Sequence, residues 1–260
     1  MAVFAGDRVY HVRCRKGEVG KYVLMPGDPK RCELIARYFE DPVKVAEHRE
    51  YVTFTGMLDG VTVSVTSTGI GCPSTAIAVE ELSTLGCDTF IRVGTSGAMQ
   101  AHILPGDIII GTAAIRDEGT TLHYMPVEFP AVADITVTQS LIEGAKRCGV
   151  RYHVGIVHSK DSFYGEVEPS RMPVHSRLTQ RWEAWVKGGA VASEMEAAAL
   201  FVVSSILGAR AGCVLLAAAN VEHARQTGKF TIIEDVSMLI KVAIEGLRTL
   251  IAWDREAGRI

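Results

Sequence analysis

Apolar residues recur along this chain in two periods, and the switches between them mark out its elements. Residues 21–25 are a short apolar run closed by Pro26-Gly27-Asp28-Pro29, and from 32 to 39 the apolar positions take helical spacing. That is strand, turn, helix. Two β-branched runs, 51–58 and 61–66, flank Asp59-Gly60, the signature of a two-residue hairpin. A glycine-bearing turn, 67–74, leads into a helix from about 74 to 85, with Pro73 near its start, where a missing N–H costs nothing. Short apolar strands are expected at 89–93, 107–115, 152–158 and 212–219, and helices at 137–148, 176–187, 194–208 and 232–252. Strands alternating with helices predict a layered α/β domain. No repeat, low-complexity tract or Pro/Ser-rich linker divides the chain, so one domain over 1–260 is expected. The least regular stretch, 160–173, reads as a mobile loop.

Composition narrows the classes of function. The chain has 260 residues, 48% hydrophobic and 22% charged, and its 27 Lys and Arg against 30 Asp and Glu give a net charge of −3. No overall basic field is available to hold a nucleic-acid backbone. The longest lipid-like run, 197–207, falls short of the roughly 20 residues that span a bilayer. Charged residues interrupt the first twenty positions, so no secretory signal is read. The six cysteines include no C-x-x-C pair, which favours reduced thiols and a cytoplasmic setting. The eight histidines show no metal-ligand spacing.

Four turns after apolar strands pair small residues with an arginine or an acid: 27–31, 48–50, 92–95 and 193–196. Strand ends of an α/β sheet form the ligand crevice, so these turns can converge. The first three suit an oxyanion. Glycine lets a backbone N–H come close, a helix start adds partial positive charge, and arginine offers paired donors. Arg92 is the most pointed of them, because it interrupts a buried-looking strand, where a charge must be paired. A structural ion pair would satisfy it as well as a ligand would. Glu194 and Glu196 stand at a helix start, where carboxylates favour the dipole, although the apolar residues after them aim both acids into a cleft. A carboxylate there can accept from the hydroxyls of a ribose diol. Gly69-Ile70-Gly71 lacks the third glycine of a dinucleotide fingerprint, and no G-x-x-x-x-G-K-[ST] loop is present.

In this order, the segments 26–29, 48–50, 67–71, 90–98, 128–134 and 194–196 together resemble the nucleoside phosphorylase family, most closely its uridine phosphorylase branch, over nearly the whole chain. The resemblance implies a three-layer α/β/α fold around a central mixed sheet, and a hexamer built as a trimer of dimers with shared active sites. It implies phosphorolysis, with inorganic phosphate as co-substrate and no organic cofactor. Gly27, Arg31, Arg92 and Thr95 would bind phosphate, joined by Arg49 from a neighbouring subunit. Met195 and Glu196, beside Glu194, would hold the ribose, and His11 would approach its 5′-hydroxyl across the dimer interface. Arg92, Glu196 and Arg31 would carry the catalysis. Ser96, Gly97 and Phe163 would line the base pocket, and Glu50, Ile70 and Ser74 would hold a potassium ion at the interface.

Base recognition departs from the branch. Glu166 stands where a glutamine usually reads uracil, and no arginine follows until Arg171; Glu166 and Arg171 are the base-binding candidates of this loop. A carboxylate accepts from the uracil N3–H but cannot donate to a carbonyl. The purine branch usually carries an aspartate after the strand at 212–219; here the segment reads Ala217-Ala218-Ala219-Asn220-Val221-Glu222. Uridine is the expected substrate. A purine or modified nucleoside is the alternative, and a non-catalytic nucleoside-binding relative is the third reading. Three phosphate-directed arginines argue against the last.

Overall fold

A computed structural model describes residues 3–260. The first part of the chain forms β1 (Phe4–Ala5), β2 (Arg8–Val9), β3 (Tyr22–Met25), α1 (Pro29–Ala36), β4 (Glu40–His48), β5 (Tyr51–Leu58), β6 (Val61–Thr66) and α2 (Cys72–Thr84). The middle forms β7 (Thr89–Ala98), β8 (Ile108–Asp117), β9 (Ala131–Val132), α3 (Ile135–Arg147), β10 (Tyr152–Lys160) and α4 (Phe163–Val167). The remainder forms α5 (His175–Lys187), β11 (Ala192–Glu194), α6 (Ala197–Ile206), β12 (Arg210–Asn220), α7 (Val221–Thr227) and α8 (Ser237–Glu256).

Ten strands make one mixed sheet in the order β11-β10-β8-β12-β7-β3-β6-β5-β4, with β9 on the side of β8. Strand β11 also pairs antiparallel with β7, so β11, β10, β8, β12 and β7 close on themselves, while β3, β6, β5 and β4 extend as an open wing. Alternation along the strands feeds two cores. Phe90, Cys213 and Leu215 face α2 and α6, where they meet Val79, Leu82, Leu200 and Phe201. Ile91, Val93, Val214 and Leu216 face the other way, packing with Ile35, Leu141, Leu247 and Leu250 of α1, α3 and α8. The result is the expected mixed sheet between helical layers.

Several boundaries differ from the sequence reading. Helix α1 begins at Pro29, because the Asp28 side chain accepts the Lys30 N–H and caps it. Strand β7 runs on through Gly94 to Ala98, held by β12 and then β11, so residues 94–97 are strand and not a turn. Strand β4 was not expected: its nine residues lie at the sheet edge and bury almost nothing, leaving no alternation to read. Residues 160–173, read as a mobile loop, include the end of β10, the short helix α4 and a 3₁₀ turn over Pro169–Arg171. No helix among the described residues is long and apolar enough to cross a membrane.

Candidate active site

Arg92 is 5% exposed and, by the alternation of β7, lies on the α2/α6 side of the sheet. Its guanidinium folds back along its own strand. A Cβ at Gly94 would sit 2.7 Å from its central carbon, so the strand passes here only without a side chain. Two carboxylates meet it: Glu194 Oε2 lies 2.8 Å from Nε, and Glu196 Oε2 pairs with Nη2. Arg31 of α1 reaches the same place from the next strand end, its Nη1 donating to the Val93 carbonyl at 3.1 Å. Burial, and then the neighbouring Arg92 charge, hold the Arg31 guanidinium below the usual arginine range. An oxyanion between the two would relieve that repulsion.

The backbone around this pair is built from tight turns. Gly69 N–H donates to the Gly27 carbonyl at 3.0 Å and Thr68 N–H to the Pro26 carbonyl at 2.9 Å, so the turns after β3 and β6 lie against one another. Gly71, in the left-handed region at φ 102°, donates its N–H to Glu196 Oε1 at 2.6 Å. Glu196 is thus held at both oxygens. Burial, reinforced by Glu194, raises its carboxyl above the ordinary range, although Arg92 opposes the shift.

Glu194 has a different part. Its Oε2 accepts the N–H groups of Glu196 at 2.8 Å and Ala197 at 2.9 Å, and its Oε1 accepts from Ser159. It therefore caps α6 and anchors Arg92, with a fully buried side chain. The helix-start reading of this acid holds for Glu194, while Glu196 spends its oxygens on Gly71 and Arg92. Met195 lies half-buried between them, its carbonyl accepting from Cys72 Sγ at 3.3 Å. Thr95 and Gly97 alternate onto the opposite face of β7, and Ser96, buried, donates to the Leu216 carbonyl at 3.1 Å.

Among the described residues, the other expected ones make no hydrogen bond or ion pair with this arginine pair. His11 is pinned to α2, with its Nδ1 2.7 Å from Glu81 Oε1 and its N–H donating to both Glu81 oxygens at 2.9 Å. Arg49 is exposed at the β4–β5 hairpin tip with φ 55°, and among the described residues no ion pair holds its guanidinium. Beside it, Glu50 packs its side chain on Gly69, and the Ser74 hydroxyl lies 3.4 Å from the Ile70 carbonyl; Ile70 itself is 78% exposed. Arg171 turns outward, pairing with Glu168 and lying over the Tyr164 ring at 6.0 Å, so it does not replace the missing base-reading arginine. Phe163 is 53% exposed, edge-on to Tyr164. Asn220 is spent on the fold: its amide donates to the Gln100 and Ile103 carbonyls.

On the face that carries Gly97, a cavity of about 230 Å³ opens between β10, α4 and α5. Its charged lining includes Asp117, His158, Lys160, Glu166 and Arg181, with Trp182 and Trp185 as apolar wall. Lys160 Nζ lies 3.0 Å from Glu166 Oε1 and donates to Ser193 Oγ at 2.7 Å, while Ser193 donates to Glu166 Oε2 at 2.5 Å. His158 stands between acceptors, with Nε2 3.0 Å from Asp117 Oδ2 and Nδ1 3.1 Å from Ser193 Oγ. Burial works against its charge, but Asp117 and Glu166 outweigh it and hold the imidazole above the ordinary histidine range. Glu166 is likewise buried, yet His158, Lys160 and Ser193 keep its carboxyl below the usual range. Ser193 joins this cavity to the arginine site, since the next residue is Glu194.

A sequence model described as the Phosphorylase superfamily matches residues 21–250, which include every element from β3 to most of α8. The chain belongs to this superfamily. It is 51% identical to a uridine phosphorylase of Treponema pallidum, over 97% of this chain and 98% of that protein. It is 47% identical to a uridine phosphorylase of Thermococcus kodakarensis, over 96% and 89% of the two chains. A guanosine phosphorylase of Halorubrum lacusprofundi is 38% identical over 84% of this chain and 86% of its own. Within this superfamily member, the sequence reading missed Asp117, His158, Lys160, Ser193 and Arg181. One signal was available: His158 and Lys160 stand two apart at the end of a strand, which places both on one face.

Proposed function

We propose that this protein catalyses the phosphorolysis of a pyrimidine nucleoside, uridine foremost, giving uracil and ribose 1-phosphate. A phosphate oxygen attacks C1′ of the ribose, the glycosidic C–N bond breaks, and its electron pair leaves with the base. The observation that carries the reading is the meeting of Arg31 and Arg92 at adjoining glycine turns, with Glu196 on the same guanidinium. Two cations fix the dianion and leave one oxygen free to attack, with the Gly27 N–H as a further donor and Thr95 reaching it round the edge of β7, where the Arg92 guanidinium lies over Gly94. Glu196 is locked by Gly71 and Arg92, and its remaining lone pairs hold the ribose diol against the phosphate. Positive charge spreading over C1′ and the ring oxygen in the transition state is met by phosphate and carboxylate, so no covalent enzyme intermediate is needed. Gly97, Phe163 and Glu166 face the base, with Ser96 beside Gly97 on the strand that walls the pocket.

The near-full-length likeness to proteins named uridine phosphorylase supports uridine over other nucleosides. A purine reading has one observation in its favour, the likeness to a protein named guanosine phosphorylase.

The active unit is a homo-oligomer, a hexamer of three dimers, in a cytoplasmic setting. His11 and Arg49 serve the neighbouring subunit's site, a reading supported by the Glu81 clamp and by the exposed Arg49 guanidinium, which no acid pairs among the described residues. No organic cofactor is needed. The Glu50 carboxylate, Ile70 carbonyl and Ser74 hydroxyl are all oxygen donors on one edge, the donor chemistry of a hard monovalent cation such as potassium, and two copies would complete the shell.

A panel of nucleosides, each incubated with and without phosphate and followed by ultraviolet absorbance, tests the reading. Uridine is expected to be consumed only when phosphate is present, with ribose 1-phosphate recovered. Consumption of guanosine or inosine alone would move the assignment to purines, and binding without turnover would remove the activity.

A further inference from the structure

The cavity beside the arginine site holds, around Glu166, a group of charges to which the reaction has given no part. Lys160 is 7% exposed at the end of β10, where a lone ammonium would be costly. It has three N–H donors, and Ser193 and Glu166 take two. Glu166 accepts from Lys160 at Oε1 and from Ser193 at Oε2, which leaves Oε1 a further lone pair. One unspent donor and one unspent acceptor therefore stand 3.0 Å apart. The surroundings fix the sign of the local field. His158 has an oxygen acceptor on each ring nitrogen, and because the Ser193 proton is committed to Glu166, both nitrogens donate as an imidazolium. Arg181 pairs with Asp117 at 2.5 Å. With Arg225 and Asp161 at the rim, four cations face three carboxylates, a net positive charge where a departing base gathers electrons.

From this juxtaposition we infer that Lys160 and Glu166 form the base-specificity pair, selecting a base with a ring N–H beside a carbonyl, as in uracil, over an amino-substituted base such as cytosine. Glu166 accepts the ring N–H and Lys160 donates to the carbonyl oxygen. Lys160 supplies the donor that a carboxylate lacks. An amino group would turn its N–H bonds toward a cluster rich in cationic donors, and the ring nitrogen of cytosine would set a lone pair against the Glu166 carboxylate. Either mismatch leaves buried polar groups unpaired, the condition under which hydrogen-bonding sites discriminate most strongly. His158 and Asp117 are positioning residues: Asp117 orients the imidazolium, which keeps Glu166 ionised and in place.

This inference rests on the phosphorolysis reading for where the base lies, and two measurements separate their failures. Calorimetry of the wild-type protein with free uracil and free cytosine, phosphate present, reads the pocket without turnover. Uracil is expected to bind at least about tenfold more tightly. Steady-state assays then compare uridine with cytidine in wild type, Lys160→Met and Glu166→Leu. Lys160→Met should lower kcat/KM for uridine at least about tenfold with the KM for phosphate unchanged. Glu166→Leu removes the acceptor for the ring N–H, so it should narrow the uridine-to-cytidine ratio by about tenfold or more. Equal binding of the two bases, or a ratio that neither variant moves, overturns the specificity pair even if uridine is phosphorolysed. Selective uracil binding without turnover leaves the pair standing and removes the phosphorolysis reading.

Discussion

The two halves of the site are built from different material. The anion half is made of strand ends and glycine turns: Arg92, Glu194 and Glu196 are all buried, and Gly71, Ser159 and the start of α6 bind the two acids. The base half hangs a short segment on the buried strand ends that carry His158, Lys160 and Ser193. Helix α4 is five residues long, Phe163 and Tyr164 are exposed, and of its side chains only Glu166 is locked into the charged cluster. Positions that must hold a dianion in line with C1′ are fixed by the sheet, and positions that must admit and release a nucleoside lie on a segment with little burial to lose. The contrast predicts that changes in the anion half strike kcat and changes in the base half strike the nucleoside KM.

The largest effect belongs to Arg92→Met. It removes a cation that orients phosphate in the transition state, so kcat should fall at least about a hundredfold. It also strands Glu194 and Glu196 in a buried site, costing about 3–5 kcal/mol of stability, measurable by urea unfolding. Near-normal turnover would take Arg92 out of the site and dissolve the comparison.

Gly94→Ala comes next. The new Cβ would lie 2.7 Å from the Arg92 guanidinium carbon, and that group is clamped between two acids and cannot swing clear. Displacing it costs about 1–3 kcal/mol, which should appear as a loss of about tenfold in kcat. An unchanged kcat would mean that the placement of Arg92 is looser than its buried contacts imply.

Arg92 was legible in the sequence because a charge inside an apolar strand requires a partner, and Glu196 was legible because two acids precede an apolar helix. Their pairing with one another was not, since residues 92 and 196 meet only when β11 closes the sheet against β7. The alternating strands, the Asp59-Gly60 hairpin and the central helices were read correctly for the same reason: each buries one face, and burial imposes a period. Strand β4 and helix α4 bury too little to impose one. The cluster around Glu166 draws Asp117, His158 and Ser193 from three separate strands, so no local spacing announced it. Glu194 looked like a ligand because a capping acid and a binding acid share one sequence signature.

Ser162→Ala probes the base half. The Ser162 hydroxyl accepts the Gly165 N–H at 3.0 Å and caps α4. Losing such a cap costs about 1 kcal/mol, so the KM for the nucleoside should rise roughly fivefold while kcat and the KM for phosphate hold. A fall in kcat instead would show that α4 belongs to the rigid half.

The smallest effect is a pH dependence of stability confined to the base half. His158 is faced by Asp117 from β8, Glu166 from α4, Ser193 from β11, Lys160 along its own strand, and Arg181 and Trp185 from α5. Burial disfavours the imidazolium, but the two carboxylates raise its pKa above the unfolded value near 6.5. A group whose pKa is raised on folding binds its proton more tightly when folded. Its contribution is therefore complete below about pH 6.5 and is lost as pH rises through the folded pKa. Urea midpoints measured at intervals from pH 6 to 9 should fall more steeply in wild type than in His158→Gln, whose amide does not titrate. Parallel curves would mean that the imidazole is neutral in the folded protein, and that the net positive field ascribed to the base half is absent.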